Sequence, residues 1–288
     1  MKERERTIMK IMKLHFLIIA ILIFLSGTAL SAPPGRIVSL APSVTEILYD
    51  LGLGDRIAAV TTFCDYPPQA LKKPKIGGYS NPSIETIVAM RPDLVVMIDD
   101  GNPLEIRDRL KKLHINTYIF RAKRLTELPQ GIRDLGIALG IKDRAFKRAN
   151  RIEKEIRQHE RKSQKLSPHT ARKKVLFIIQ PEPLIVAGPD TVIDDALKLL
   201  GVQNIAGNAA SSYPKYSIED VIRYSPDVIF IGHAPGMTGD TAKGLFRRLN
   251  SLDAVKKGRV YYTSESLYRL TPKAISGIEE IAGYLGRY

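Results

Sequence analysis

The chain has 288 residues, with 44 Lys and Arg against 30 Asp and Glu, a formal charge of +14 and a single cysteine. One cysteine excludes an internal disulfide, and the length exceeds what a single core ordinarily serves, so two halves are expected. The basic residues are spread along the chain without interleaved stacking aromatics, which argues against nucleic acid as a partner.

The first segment predicts export. Lys2, Arg4, Arg6, Lys10 and Lys13 lead into an apolar run over 14–25 broken only by His15, and Ala29, Leu30 and Ser31 put small residues where a signal peptidase reads them. Residues 1–31 are therefore expected to be a signal peptide removed before Ala32, with Met9 or Met12 as further candidate starts. A retained anchor is the alternative, and Gly27, Thr28 and Ser31 favour cleavage. The only cysteine, Cys64, is far from the cut. A lipid-anchored form is therefore not expected, and the mature protein should be periplasmic.

Beyond the leader, short apolar β-rich runs alternate with helical patterns. Strands are expected at 37–40, 57–61, 94–98 and 116–120, with helices at 44–51, 83–90 and 104–113 between them. From Asp143 to Lys165 there is no Pro or Gly, and Ala145, Phe146, Ala149, Ile152 and Ile156 form one apolar stripe, so a long stiff helix is expected there, ended by Pro168. A second alternation follows, with strands at 175–179, 228–232 and 260–263 and helices at 192–200, 217–224, 245–249 and 272–285. Strands of this kind separated by helices predict parallel sheets covered on both faces.

An internal repeat supports the division into halves. Ser83-Ile84-Glu85 recurs as Ser217-Ile218-Glu219, the run from Pro92-Asp93 to Val96 recurs from Pro226-Asp227 to Phe230, and Tyr79 recurs as Tyr213. Each copy reads as a Ser-capped helix, a Pro-Asp turn and a buried strand. The expected fold is α/β: two Rossmann-like lobes with parallel sheets, at 32–140 and 169–288, joined by one long rigid helix at 141–168.

Ligands of open parallel sheets bind outside the carboxyl ends of the strands, so the loops at 62–68, 77–82, 99–103, 181–189, 211–216 and 264–271 should face one cleft. They carry Phe63, Tyr66, Tyr79, Tyr213, Tyr216 and Tyr268, rings suited to a broad, largely apolar guest such as a tetrapyrrole. Arg269 would add a charged contact. Each ring could instead pack on its own half. Glu85 and Glu219 sit in the first turns of matched helices. There the helix dipole alone would suit a carboxylate, yet the pair also offers one acidic knob per half to arginines of a two-fold partner.

Several strings carry a resemblance: the run Arg36 to Glu46 (RIVSLAPSVTE), Asp65 to Ala70 (DYPPQA), Ser83-Ile84-Glu85 with Arg91-Pro92-Asp93, and Gly101-Asn102. They resemble the helix-linked periplasmic solute-binding family, class III, that serves corrinoids, ferric siderophores and haem, and in particular its vitamin B12 branch. The resemblance implies capture of a corrinoid and its delivery to the permease dimer of an ABC importer by a monomer that holds no cofactor of its own and is not an enzyme. It implies permease docking by Glu85 and Glu219 and cargo contacts from Phe63, Tyr79, Tyr213 and the loop Glu265, Ser266, Leu267, Tyr268 and Arg269. The chain departs from the pattern in having no Trp and in placing Ile98 and Ile185 where further cleft aromatics stand.

Rival readings are the same fold carrying a ferric siderophore or haem, and an exported tetrapyrrole chelatase-like enzyme. The latter would need a convergent His and carboxylate pair. His114, His159, His169 and His233 have no paired spacing, so no metal site is expected, although His233 follows a strand near the cleft mouth. Cys64 lacks an identifiable base and reads as a small buried residue.

Overall fold

A computed structural model describes residues 33–99, 101–165, 173–232 and 239–286. The expected leader, Pro168, His169 and His233 lie outside them. The first half is built from β1 (Ile37–Ser39), α1 (Pro42–Asp50), β2 (Ile57–Val60), α2 (Pro68–Leu71), α3 (Ile84–Ala89), β3 (Leu94–Ile98), α4 (Leu104–Lys112), β4 (Thr117–Phe120) and α5 (Leu128–Ala138). Its four strands pair in the order β2-β1-β3-β4, every pairing parallel. The apolar runs of β1, β2 and β3 are buried because helices pack on both faces, while the edge strand β4 is half-buried up to Phe120.

Helix α6 (Lys142–Ser163) crosses to the second half. There follow β5 (Lys174–Pro181), β6 (Leu184–Val186), α7 (Val192–Leu199), β7 (Gln203–Asn204), α8 (Ile218–Tyr224), β8 (Val228–Gly232), α9 (Gly239–Arg248), α10 (Asp253–Lys256), β9 (Val260–Thr263) and α11 (Ala274–Leu285). The second sheet runs β6-β5-β8-β9, with β7 also on β5. All of its pairings are parallel except β5 with β6, which the short Glu182-Pro183 turn sends back antiparallel in place of the expected loop.

The repeat has a structural reason at each matched position. Ser83 and Ser217 cap α3 and α8, their hydroxyls accepting the backbone N–H of Thr86 and Asp220 at 3.1 and 3.0 Å. Asp220 returns the contact by accepting the Ser217 N–H, a reciprocal capping box. The Asp of each Pro-Asp turn ties down the strand beside it. Asp93 accepts the N–H groups of Gly35 and Arg36 at the start of β1, and Asp227 accepts that of Lys174 at the start of β5. The cations Arg36 and Lys174 then donate to the carbonyls of Met90 and Tyr224 at the helix ends, where the dipole favours positive charge. Ser217→Ala should lower unfolding free energy by about 1 kcal/mol in urea melts. An unchanged midpoint would mean that the cap carries no weight.

One hydrophobic cluster joins the halves through the helices behind the sheets. It runs from Ile37 and Val96 through Leu135, Ala149 and Ile152 to Phe177, Phe230 and Ile278. The apolar stripe of α6, with Ala145, Ala149, Ile152 and Ile156 buried, is the seam, and α5 packs along it so closely that Gly136 lies against Ala145 with no room for a Cβ. No helix among the described residues is long and apolar enough to cross a membrane.

Candidate ligand-binding cleft

Between the carboxyl ends of the two sets of strands lies a cleft of ≈ 740 Å³, within the span of small-molecule sites, roughly 300–1,000 Å³. From the first half it is lined by the start of α1, by Tyr79, by Ile98 and Asp99 at the end of β3, and by Phe120 at the end of β4 with the strap Arg121 to Arg124 after it. The second half contributes Asp190 and Thr191 before α7, Tyr213, and Tyr268 to Leu270.

Tyr79 and Tyr213 face each other's half from matched loops, with 39% and 53% of their surface exposed. Local hydrogen bonds hold both loops. The buried Asn102 amide donates to the carbonyls of Leu40 and Tyr79 at 2.9 and 2.7 Å and accepts the Ile98 N–H at 2.8 Å, pinning the Tyr79 backbone to the ends of β1 and β3. Gly101, at φ +109, leaves space for the Tyr79 ring. On the other side Gly188 donates to the carbonyl of Ser212 at 2.8 Å, and a Cβ there would fall 2.5 Å from the Ser211 carbonyl oxygen. Phe63, 55% exposed and outside the cleft lining, meets Tyr79 edge to face with ring centres 5.8 Å apart.

The 264–271 loop does not present its side chains as expected. Glu265–Leu267 form a 3-10 turn, which carries Leu267 inward: it is 3% exposed and packs over Gly277 of α11 in the core. The Ser266 hydroxyl accepts from Ser264 at 2.9 Å and, with Glu265, faces a separate cavity of ≈ 210 Å³ beside Tyr66 and Lys273. Leu267, Glu265 and Ser266 thus stand outside the lining of the main cleft, to which this loop contributes Tyr268, Arg269 and Leu270. Burial pushes the Tyr268 hydroxyl pKa up, and its oxygen lies over Gly232, where a Cβ would be 1.7 Å away.

Charge in the cleft is largely paired off. Lys123 lies 3.5 Å from Asp99, and Arg124 lies 3.2 Å from Asp190 and 3.9 Å from Asp195. Arg269 does not project freely at a guest. It donates to Glu46 at 2.8 Å and to both oxygens of Asp65, at 2.7 and 3.1 Å. Burial opposes its charge, but these hydrogen bonds win and raise its pKa. The same Arg269 bonds hold the Asp65 carboxyl below its usual range. Among the described residues Arg121 is the cleft cation with no ion pair. None of the strap cations figured in the sequence reading, although the run Arg121-Ala122-Lys123-Arg124 directly follows β4, where the chain leaves the sheet at its ligand-binding edge.

Away from the cleft, Glu85 and Glu219 are exposed on α3 and α8, Glu85 accepting from the Ser83 hydroxyl at 3.4 Å and lying 3.8 Å from Arg109. Ile98 lines the cleft and Ile185 does not. Cys64 is fully buried, its sulfur 3.1 Å from the hydroxyls of Thr45 and Thr61. His159 is buried beside α11, and burial lowers its pKa. No cluster of three metal-ligating side chains occurs among the described residues.

A family model described as "Periplasmic binding protein" matches residues 37–267. The chain belongs to the periplasmic binding protein family. This periplasmic binding protein is 30% identical over 215 residues to the vitamin B12-binding protein of Pectobacterium atrosepticum, covering 74% of this chain and 77% of the relative. With the vitamin B12-binding protein of Vibrio parahaemolyticus it shares 29% identity over 262 residues, 90% and 92% of the two chains. Among solved structures it resembles the periplasmic vitamin B12-binding protein of Vibrio cholerae, with a TM-score of 0.77 and 29% identity, covering 88% of this chain and 98% of the other. A periplasmic haem-binding protein from Roseiflexus aligns with a TM-score of 0.74 and 26% identity over 87% and 97%. The fold is accordingly the α/β, parallel-sheet, helix-linked class.

Proposed function

We propose that this periplasmic binding protein is exported by a signal peptide at 1–31, captures a corrinoid of the vitamin B12 type between its lobes, and hands it as a monomer to the permease dimer of an ABC importer, performing no catalysis. The working division is a lobe at 32–140, a connecting helix at 141–168 and a lobe at 169–288. The observation that carries the cargo reading is the cleft itself: two opposed tyrosines with an aromatic rim, and walls whose cations are mostly neutralised by the protein's own acids. Such a wall suits a large macrocycle fringed with neutral amides better than a polyanion, which would require free arginines. The named relatives support the same choice. Tyr79, Tyr213, Phe63 and Tyr268 are the proposed cargo contacts, and Glu85 and Glu219 the proposed permease contacts.

A second reading, the same fold carrying haem or a ferric siderophore, is favoured by Arg121, an exposed guanidinium at the cleft open to a carboxylate, and by the haem-binding structural neighbour. Titration of the mature protein with cyanocobalamin, cobinamide, haem and ferric siderophores separates the readings. Saturable binding of the two corrinoids with at least tenfold preference over the others is expected. Tight haem or siderophore binding without corrinoid binding would reverse the assignment.

A further inference from the structure

Two arginines cross the cleft in opposite directions. Arg269, from the loop after β9, reaches into the first half and forks onto Asp65 while its Nη1 also meets Glu46 of α1. Arg124, from the strap after β4, reaches into the second half to Asp190 at 3.2 Å and Asp195 at 3.9 Å, and the neighbouring Leu125 N–H donates to Asp195 at 3.0 Å. The partners are separated by 66 to 223 residues in sequence, so each bond joins the two halves rather than closing a local turn. Arg124, Asp190 and Arg269 all line the cleft.

We propose that Arg269 and Arg124 are positioning residues that set the width of the cleft, each lent by one half to acids of the other. A single crossing would leave a pivot; two crossings from different elements define a spacing. The Arg269 crossing is the stiffer. Its planar fork meets Asp65 on both oxygens, a geometry a lysine cannot reproduce. Its other partner, Glu46, is 7% exposed and would be left as an uncompensated buried charge if the halves parted. Arg269 thereby acts on cargo through the gap and not by touching it, whichever cargo the cleft takes.

Nitroxide labels at Lys112→Cys and Ser251→Cys, exposed positions in the two halves, report the spacing with no cargo present; native Cys64 is buried. The unmutated clamps should give a narrow distance distribution. Arg269→Gln and Asp65→Asn should each broaden it, the double variant should add nothing further, and the swap Arg269→Asp with Asp65→Arg should restore it. Arg124→Gln and Asp190→Asn should broaden it likewise. For whichever panel cargo binds, Arg269→Gln and Asp65→Asn should weaken affinity by a similar factor, about fivefold to tenfold, non-additively. Weakening by Arg269→Gln alone, with Asp65→Asn silent, would show a direct cargo contact and overturn the proposal, as would unchanged distances in both single variants. Thermal melts establish that each variant folds, and Asp65, half exposed, supplies the milder lesion. Because the distance measurement needs no cargo, its failure is separate from any failure of the corrinoid reading.

Discussion

Tyr79→Ala combined with Tyr213→Ala should reduce corrinoid affinity by at least 100-fold while leaving the melting temperature within a few degrees of the parent. Both rings are substantially exposed, so removing them costs the fold little. Covering one aromatic face with a macrocycle is worth about 1.5–3 kcal/mol of apolar burial, and each 1.4 kcal/mol is tenfold in Kd. Tyr79→Phe should retain most of the affinity, because the ring and not its hydroxyl supplies the area. Isothermal titration with cyanocobalamin reads both outcomes. An unchanged Kd in the double alanine variant would remove the aromatic pair from the site and with it the reason for preferring a flat, broad guest.

The Glu85→Ala, Glu219→Ala double variant should have the opposite profile, with cargo affinity unchanged and uptake into cells largely lost. Both carboxylates stand on short helices capped by serines, outside the cleft lining. Neither contributes to the core, so stability should move by no more than about 0.5 kcal/mol. At a desolvated interface a carboxylate meeting an arginine is worth far more than at a free surface, and truncating one such partner costs about 2–5 kcal/mol. Glu85 already has Arg109 at 3.8 Å, whereas Glu219 has no comparable neighbour among the described residues, so the single Glu219→Ala variant should be the more damaging. Uptake of labelled cobalamin by cells carrying each variant measures this directly, and normal uptake by the double variant would dismiss the docking assignment.

Much of the frame was legible in the primary structure because its signals are local. The runs at 94–98 and 228–232 are apolar and β-branched, and each is preceded by a Pro-Asp turn and a Ser-capped helix, so pattern, cap and turn agree within fifteen residues. The stripe of α6 is equally plain. Helix α5 was not foreseen, although Leu128, Ile132 and Leu135 keep helical spacing, because Pro129, Gly131 and Gly136 punctuate it; the glycines are there because Phe120 and Ala145 press against them. Strand β6 hides in Leu184-Ile185-Val186 behind a proline turn and is fixed by distant partners, β5 on one edge and the 214–216 segment on the other.

The cleft was readable as a place but not as a chemistry. Tyr79 and Tyr213 announce themselves by recurrence, whereas the charge on the walls depends on which acid each cation finds. Arg269 could be expected to meet a guest, yet its partners Asp65 and Glu46 lie 204 and 223 residues away, beyond any local rule. The family resemblance marks the 265–269 loop as a whole, and it cannot say which of its side chains the 3-10 turn sends inward, as it does Leu267.

The single hydrophobic seam along α6 has a consequence for traffic at the inner membrane. A frame welded from behind by Ile152, Leu135 and Phe230 should change little in outline when cargo enters. Under the proposed docking through Glu85 and Glu219, an importer would meet vacant and laden copies on nearly equal terms. When cargo is scarce, vacant copies would then occupy the gate, and throughput should fall as the ratio of carrier to cargo rises.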